Sequence, residues 1–136
     1  MGLGVILYAH GARDARWAEP FERLRDKLAA RMQRVPVRLA FLEHRQPDLA
    51  DAALDLAHEG ATRIRIVPMF FGRGGHLRED FPRQLAAARA RLPEIVLEIT
   101  AAAGEDDTVL EALASFAAEA PATPVERLEV KHQGDS

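Results

Sequence analysis

Short apolar runs that end in polar loops recur along this chain, and a segment of helical spacing follows each one. "LGVILYA" (residues 3–9) is apolar throughout and closes on a glycine-containing loop, which predicts a strand buried on both faces. From residue 16 to 32, Trp17, Phe21, Leu24, Leu28 and Met32 recur three or four apart, the spacing of an amphipathic helix. "VPVRLAFL" (35–42) predicts a second strand. Pro47 suits the first turn of a second helix, with Leu49, Ala53, Leu56 and Ala57 on its apolar face and Gly60 at its C-terminal stop. "TRIRIVPMFF" (62–71) alternates, then turns wholly apolar; it predicts a third strand whose far end Pro68 weakens. A third helix is expected over 76–91, with Leu77, Phe81, Leu85 and Ala88 inward, and Pro82 is compatible only with its first turns. "EIVLEITAA" (94–102) predicts the fourth strand and "DDTVLEALASFAAEA" (106–120) the fourth helix.

Strand–helix units of this kind imply a parallel sheet with helices on both faces. The expected class is α/β: one three-layer domain over residues 1–120, with a four-stranded parallel sheet in the common order 2-1-3-4. Residues 121–136 form a charged tail, with a short strand expected at "ERLEV". In such sheets ligands sit beyond the carboxyl ends of the strands, near the point where strand order reverses. His10 follows the first strand, Glu43 the second, and His76 lies just past the third. Strands one and three would be neighbours about 4.8 Å apart, so the two histidines could face one cleft with Glu43 beside them.

Composition narrows the chemistry. A net charge of −3 over 136 residues gives no general attraction to nucleic acid or anionic membrane. No cysteine is present, so any metal must be held by histidine, carboxylate or backbone oxygen. That absence fits a cytoplasmic protein. With a strand predicted from residue 3 no signal peptide is expected, and no apolar run reaches the ~18 residues of a membrane span.

Two imidazoles and a carboxylate suit a divalent first-row metal such as cobalt, iron, nickel or zinc. A single loop histidine is usually only a satisfied loop residue; two at equivalent strand ends, each beside glycine, shift the weight toward a site. His44, His58 and His132 carry less weight: His58 closes a helix, where imidazolium suits the dipole, and His132 is in the tail. "GRGGH" (72–76) could cradle phosphate with backbone N–H groups, but it matches neither nucleotide-binding glycine pattern. Its glycines could equally let a flat ligand approach the backbone. Arg13, Arg73 and Arg78 flank the histidine loops. Singly each reads as solvated charge; together they make a basic rim suited to a small polyanion.

"AHGARD", "AFLEHRQPDL" and "VPMFFGRGGHLREDFP" resemble the small sirohydrochlorin chelatases of the CbiX and SirB type, through about residue 118. The resemblance implies a chelatase-like parallel α/β fold, insertion of a divalent metal into sirohydrochlorin without ATP, and pairing of half-length chains as homodimers. It implies His10 and His76 as metal-binding histidines and His10 as proton acceptor. It also implies tetrapyrrole contact by Gln46 and by Phe71, Gly72, Arg73, Gly74, Gly75 and His76. Ala12 stands where many members have serine, and Gln46 where some have an acid.

The reaction asks for such groups in its own terms. The tetrapyrrole loses two pyrrole N–H protons as the metal enters. An imidazole, which ordinarily titrates near pH 6.5, can hold a metal or accept a proton, but not both through one nitrogen. Two histidines with Glu43 divide that labour, and arginines complement the substrate's carboxylates. Met69, Phe70 and Phe71 could touch the macrocycle, with at least two of them expected in the core. The metal (Co²⁺, alternatively Fe²⁺ or Ni²⁺) is then a substrate, and no organic cofactor is expected. Two other readings stand beside this one: a non-catalytic metal-binding or delivery protein using the same histidines, and a nucleotide- or phosphate-binding module using Gly72, Gly74 and Gly75.

Overall fold

The computed structural model describes residues 2–72 and 75–127, except for the side chains of residues 75–78 and 127. The chain divides into two compact units, Met1–Asp106 and Asp107–Ser136. The first holds β1 (Leu3–Ala9), α1 (Glu19–Arg31), β2 (Val37–Phe41), α2 (Leu49–His58), β3 (Arg63–Pro68), α3 (Gly75–Arg91) and β4 (Val96–Ile99). The four strands form one parallel sheet in the order β2-β1-β3-β4. In the second unit lie α4 (Asp107–Glu119) and a 3-10 turn at Val125–Arg127. No helix among the described residues is long and apolar enough to cross a membrane.

The period-two pleat of β1 explains its unbroken apolar sequence. Ile6 and Tyr8 face α2 and α3, in a core with Leu49, Ala53, Leu56, Ile64, Ile66 and Ala88. Val5, Leu7 and Ala9 face the other way, with Val37, Leu39 and Phe41 under Trp17, Phe21, Leu24 and Leu28. Each fully buried Leu or Ile contributes about 1.5–3 kcal/mol by leaving water. Beside α1's footprint, β3 and β4 carry charge instead: Arg63 and Arg65 reach Glu98 at 3.8 and 3.3 Å.

Several boundaries differ from the sequence expectation, each for a local reason. The first helical segment opens as a 3-10 turn at Ala15–Ala18, capped by the Asp14 side chain accepting from the Arg16 N–H. Pro47 is not in the first turn of α2. It precedes the N-cap Asp48, whose carboxylate accepts from the Asp51 N–H at 2.9 Å, and the Gln46–Pro47 bond is cis. β2 and β4 are shorter than the apolar runs that predicted them, and β3 ends at Pro68, which has no N–H to donate. Pro82 lies at the eighth residue of α3, beyond its first turn. "ERLEV" begins within the 3-10 turn rather than a strand, and its last three residues lie outside the described residues. Gly60 does close α2, at φ +102.

Candidate metal centre

Parallel pairing of β1 with β2 does not stop where the strands end. The Leu42 N–H donates to the Ala9 carbonyl at 2.9 Å and the Glu43 N–H to the His10 carbonyl at 3.0 Å. The ladder thereby carries His10 and Glu43 out of the sheet side by side, and His10 Nε2 lies 3.3 Å from Glu43 Oε2. Gly11 permits this closeness. Its φ is +101, and a Cβ there would fall 1.8 Å from the Glu43 carbonyl oxygen.

The pair stands on an aromatic floor. Phe70, 6% exposed, meets the His10 ring edge to face at 6.2 Å. Phe70 in turn contacts Tyr8 at 5.7 Å and Phe81 at 6.0 Å, between ring centroids. The imidazole is thus backed by apolar surface on one side, while its own side chain remains about half exposed. Burial, then the carboxylates of Asp48 and Asp80, push the Tyr8 phenol well above its ordinary value, so it serves only as a neutral O–H.

A second imidazole also reaches the same carboxylate. His44 Nε2 lies 3.8 Å from Glu43 Oε2, and the His44 backbone turns left-handed at φ 69. Sequence reasoning gave this histidine little weight, although its place next to Glu43 at a strand end was the available signal. Among the described residues no three His, Cys, Asp or Glu side chains form a group that could hold an ion.

The other candidates sort by position. His76 follows Gly75, the first residue of α3, but its side chain lies outside the described residues, as do Arg73, Gly74 and the Arg78 side chain. Phe71 is 68% exposed just past the end of β3, whereas Phe70 lies in the core under α2 and α3 and Met69 packs on the opposite face against the Val5–Leu7–Phe41 cluster, so that two of these three are core side chains as expected. Gly104 supports that loop from behind. Its N–H donates to the Phe70 carbonyl at 2.9 Å, and a Cβ there would fall 2.3 Å from the Phe71 carbonyl oxygen. Gly72 is exposed, with open space where a Cβ would point. Arg13 and Gln46 are exposed. Gln46 lines a groove of about 220 Å³ with Arg25 and Arg45, and Arg45 stacks over Phe41 at 5.5 Å.

Fold and site together define a parallel α/β domain with a histidine–carboxylate pair at the carboxyl ends of β1 and β2. The family model for CbiX matches residues 4–120, and the chain belongs to the CbiX family. It is 35% identical over 83 residues to a protein named sirohydrochlorin cobaltochelatase from Saccharolobus solfataricus, covering 61% of this chain and 63% of that one. It is 32% identical over 84 residues to one of the same name from Methanosarcina barkeri, covering 62% and 65%. The match thus spans less than two thirds of these curated relatives. Among solved structures, a CbiX protein from Marinobacter aquaeolei VT8 superposes with a TM-score of 0.74 at 26% identity, over 85% of this chain and 94% of that one. Bacillus subtilis SirB with cobalt superposes at 0.68 and 24% identity, over 87% of this chain and 50% of that one, a likeness of fold.

Proposed function

We propose that the protein is a sirohydrochlorin chelatase that inserts a divalent metal, cobalt in the first instance, into the tetrapyrrole without ATP. The observation that carries the reading is the 3.3 Å approach of His10 and Glu43 at the strand edge of a CbiX-family chain. The relatives named cobaltochelatase support cobalt, and the same donor types also accept Fe²⁺ or Ni²⁺.

In this reading sirohydrochlorin and M²⁺ give the metallated ring and two protons. His10 accepts a pyrrole proton on the ring nitrogen turned away from Glu43, and Glu43, 3.3 Å from the other nitrogen Nε2, stabilises the imidazolium that forms. Glu43 also neutralises the approaching cation. Family resemblance assigns both His10 and His76 to the metal, so that His76 can keep hold of the ion while His10 takes the proton. Family resemblance assigns Gln46, Phe71, Gly72, Arg73, Gly74 and Gly75 to contact with the macrocycle, and Arg13 meets its carboxylates. Residues 1–120 are the functional domain, which the family match over 4–120 supports. A flat macrocycle needs two walls, so the working form is a homodimer in the cytoplasm.

Anaerobic mixing of the purified chain with excess sirohydrochlorin and Co²⁺, followed by absorbance, tests the proposal. A chelatase gives many turnovers per chain. A metal carrier gives at most one equivalent, and a nucleotide-binding module leaves the rate at that of the uncatalysed mixture.

A further inference from the structure

We propose that Gln84 is a positioning residue for metal insertion: its side-chain amide sets the register of α3 against the two loops that carry His10 and Glu43. This rests on the chelatase reading. Gln84 Oε1 accepts from the Tyr8 O–H at 2.8 Å and from the Leu49 N–H at 3.4 Å. Its Nε2 donates to the Leu42 carbonyl at 2.7 Å. One side chain therefore joins α3 to β1, to the loop after β2 and to the first residue of α2. Tyr8 is two residues before His10, and Leu42 is one before Glu43.

The chemistry of the partners fixes the amide's orientation. The Leu49 N–H can only donate, the Leu42 carbonyl can only accept, and the phenol, kept neutral by burial, has a proton to give. A flipped amide would set N–H against N–H and C=O against C=O. Only an acceptor and a donor on one planar group satisfy all three, which is glutamine's inventory and not that of Glu or Met.

Near its C-terminal end α3 also holds an exposed ion pair, Arg91 to Asp51 of α2 at 3.2 Å, and elsewhere it packs through apolar side chains. Phe81 stacks on Tyr8 at 5.1 Å, and Leu85 and Ala88 pack into the core. Such contacts hold a helix against a sheet but tolerate small slides and rotations. Hydrogen bonds do not, because they weaken within a few tenths of an ångström. Pro82 also lacks the N–H that would continue the helix's own ladder, two residues before Gln84. His76 lies eight residues earlier on the same helix, about 12 Å along its axis. A small rotation of α3 about Gln84 would therefore be enlarged at that end, relative to His10 and Glu43.

The test compares Gln84→Met, close in volume but unable to bond, with Leu85→Ala, which loosens the apolar packing of α3 and leaves all three bonds of Gln84. Both are made in the full chain. Circular dichroism, melting temperature, kcat and KM for insertion, and Co²⁺ titration without tetrapyrrole, read on the visible cobalt band, are measured for each. The expected result is a Gln84→Met chain with native dichroism, kcat reduced at least tenfold, KM for sirohydrochlorin within twofold, and a weakened, altered cobalt band. Leu85→Ala lowers the melting temperature yet keeps kcat within twofold. Full kcat in Gln84→Met, or an equal loss of kcat in Leu85→Ala, overturns the positioning role. If the wild type binds Co²⁺ but does not turn over, the chelatase reading fails instead; an unchanged cobalt band in Gln84→Met then still overturns the positioning role. A wild type that does neither overturns both.

Discussion

Replacing Gly11 by alanine probes the junction on which the site depends. The new Cβ would lie 1.8 Å from the Glu43 carbonyl oxygen and 2.9 Å from its carbon, both backbone atoms with no rotamer to yield. To reach even 3.0 Å the two loops must part by roughly 1.2 Å, the difference of those distances. That movement strains the Glu43 N–H to His10 carbonyl bond, now 3.0 Å, and the Leu42 to Ala9 bond behind it. Two lost backbone bonds cost about 1 kcal/mol each. Holding a non-glycine residue at φ +101 adds about 1–3 kcal/mol. The expected loss is therefore about 3–5 kcal/mol, or on the order of 10–20 °C in melting temperature for a chain of this size. Gly60→Ala is the control: φ is +102 there, with nothing within 4 Å of the added Cβ, so it carries the strain without the clash. Thermal melts of both variants, with Co²⁺ titration of each, make the comparison. Gly11→Ala should melt at least 5 °C below Gly60→Ala, by the two lost bonds, and bind Co²⁺ more weakly. Equal melting temperatures would refute the close-approach argument.

Other expectations follow from single groups. Hydrogen bonds from the Arg16 side chain and backbone hold the Asp14 carboxyl down to about 2. A depressed carboxyl contributes stability above its ordinary value near 3.9, and this is lost as pH falls toward 2. An NMR titration of Asp14 should show its midpoint near 2; a midpoint near 4 would contradict the bonding. Glu43→Gln keeps the shape beside His10 but removes the charge. It should lower kcat by about 10²-fold with little change in melting temperature, and a kcat near wild type would exclude Glu43 from the chemistry. Arg13→Gln with Arg45→Gln should raise KM for the polycarboxylate several-fold at low salt and less at high salt. A KM unmoved by either substitution or salt would mean the substrate's anions are held elsewhere.

Much of this architecture was legible in the chain because parallel strands buried on both faces must be continuously apolar, as "LGVILYA" is. The repeated strand–helix alternation then left few topologies, and the sheet takes the common one. The meeting of His10 and Glu43 was legible for the same reason, since both follow neighbouring parallel strands. The missed features depend on backbone geometry or long-range contact, which a linear pattern does not encode. His44 reaches Glu43 through a left-handed backbone. Phe70 backs His10 because the chain turns after Pro68, which let Phe70 be read as core but not as a floor for the imidazole. Gln84 finds its partners 76, 42 and 35 residues away. Pro47 misled because a proline before an N-cap and a proline inside a first turn look alike in sequence.

The most direct measurement of the central claim is metal insertion by the His10→Ala chain beside the wild type, under anaerobic conditions at neutral pH with sirohydrochlorin and Co²⁺ in excess. If His10 takes the pyrrole proton, the wild type turns over repeatedly without ATP. The variant, with native circular dichroism, should then lose about 10²-fold or more in rate. Wild-type turnover that persists in His10→Ala would contradict the assignment of the strand-edge histidine as the working group of the site.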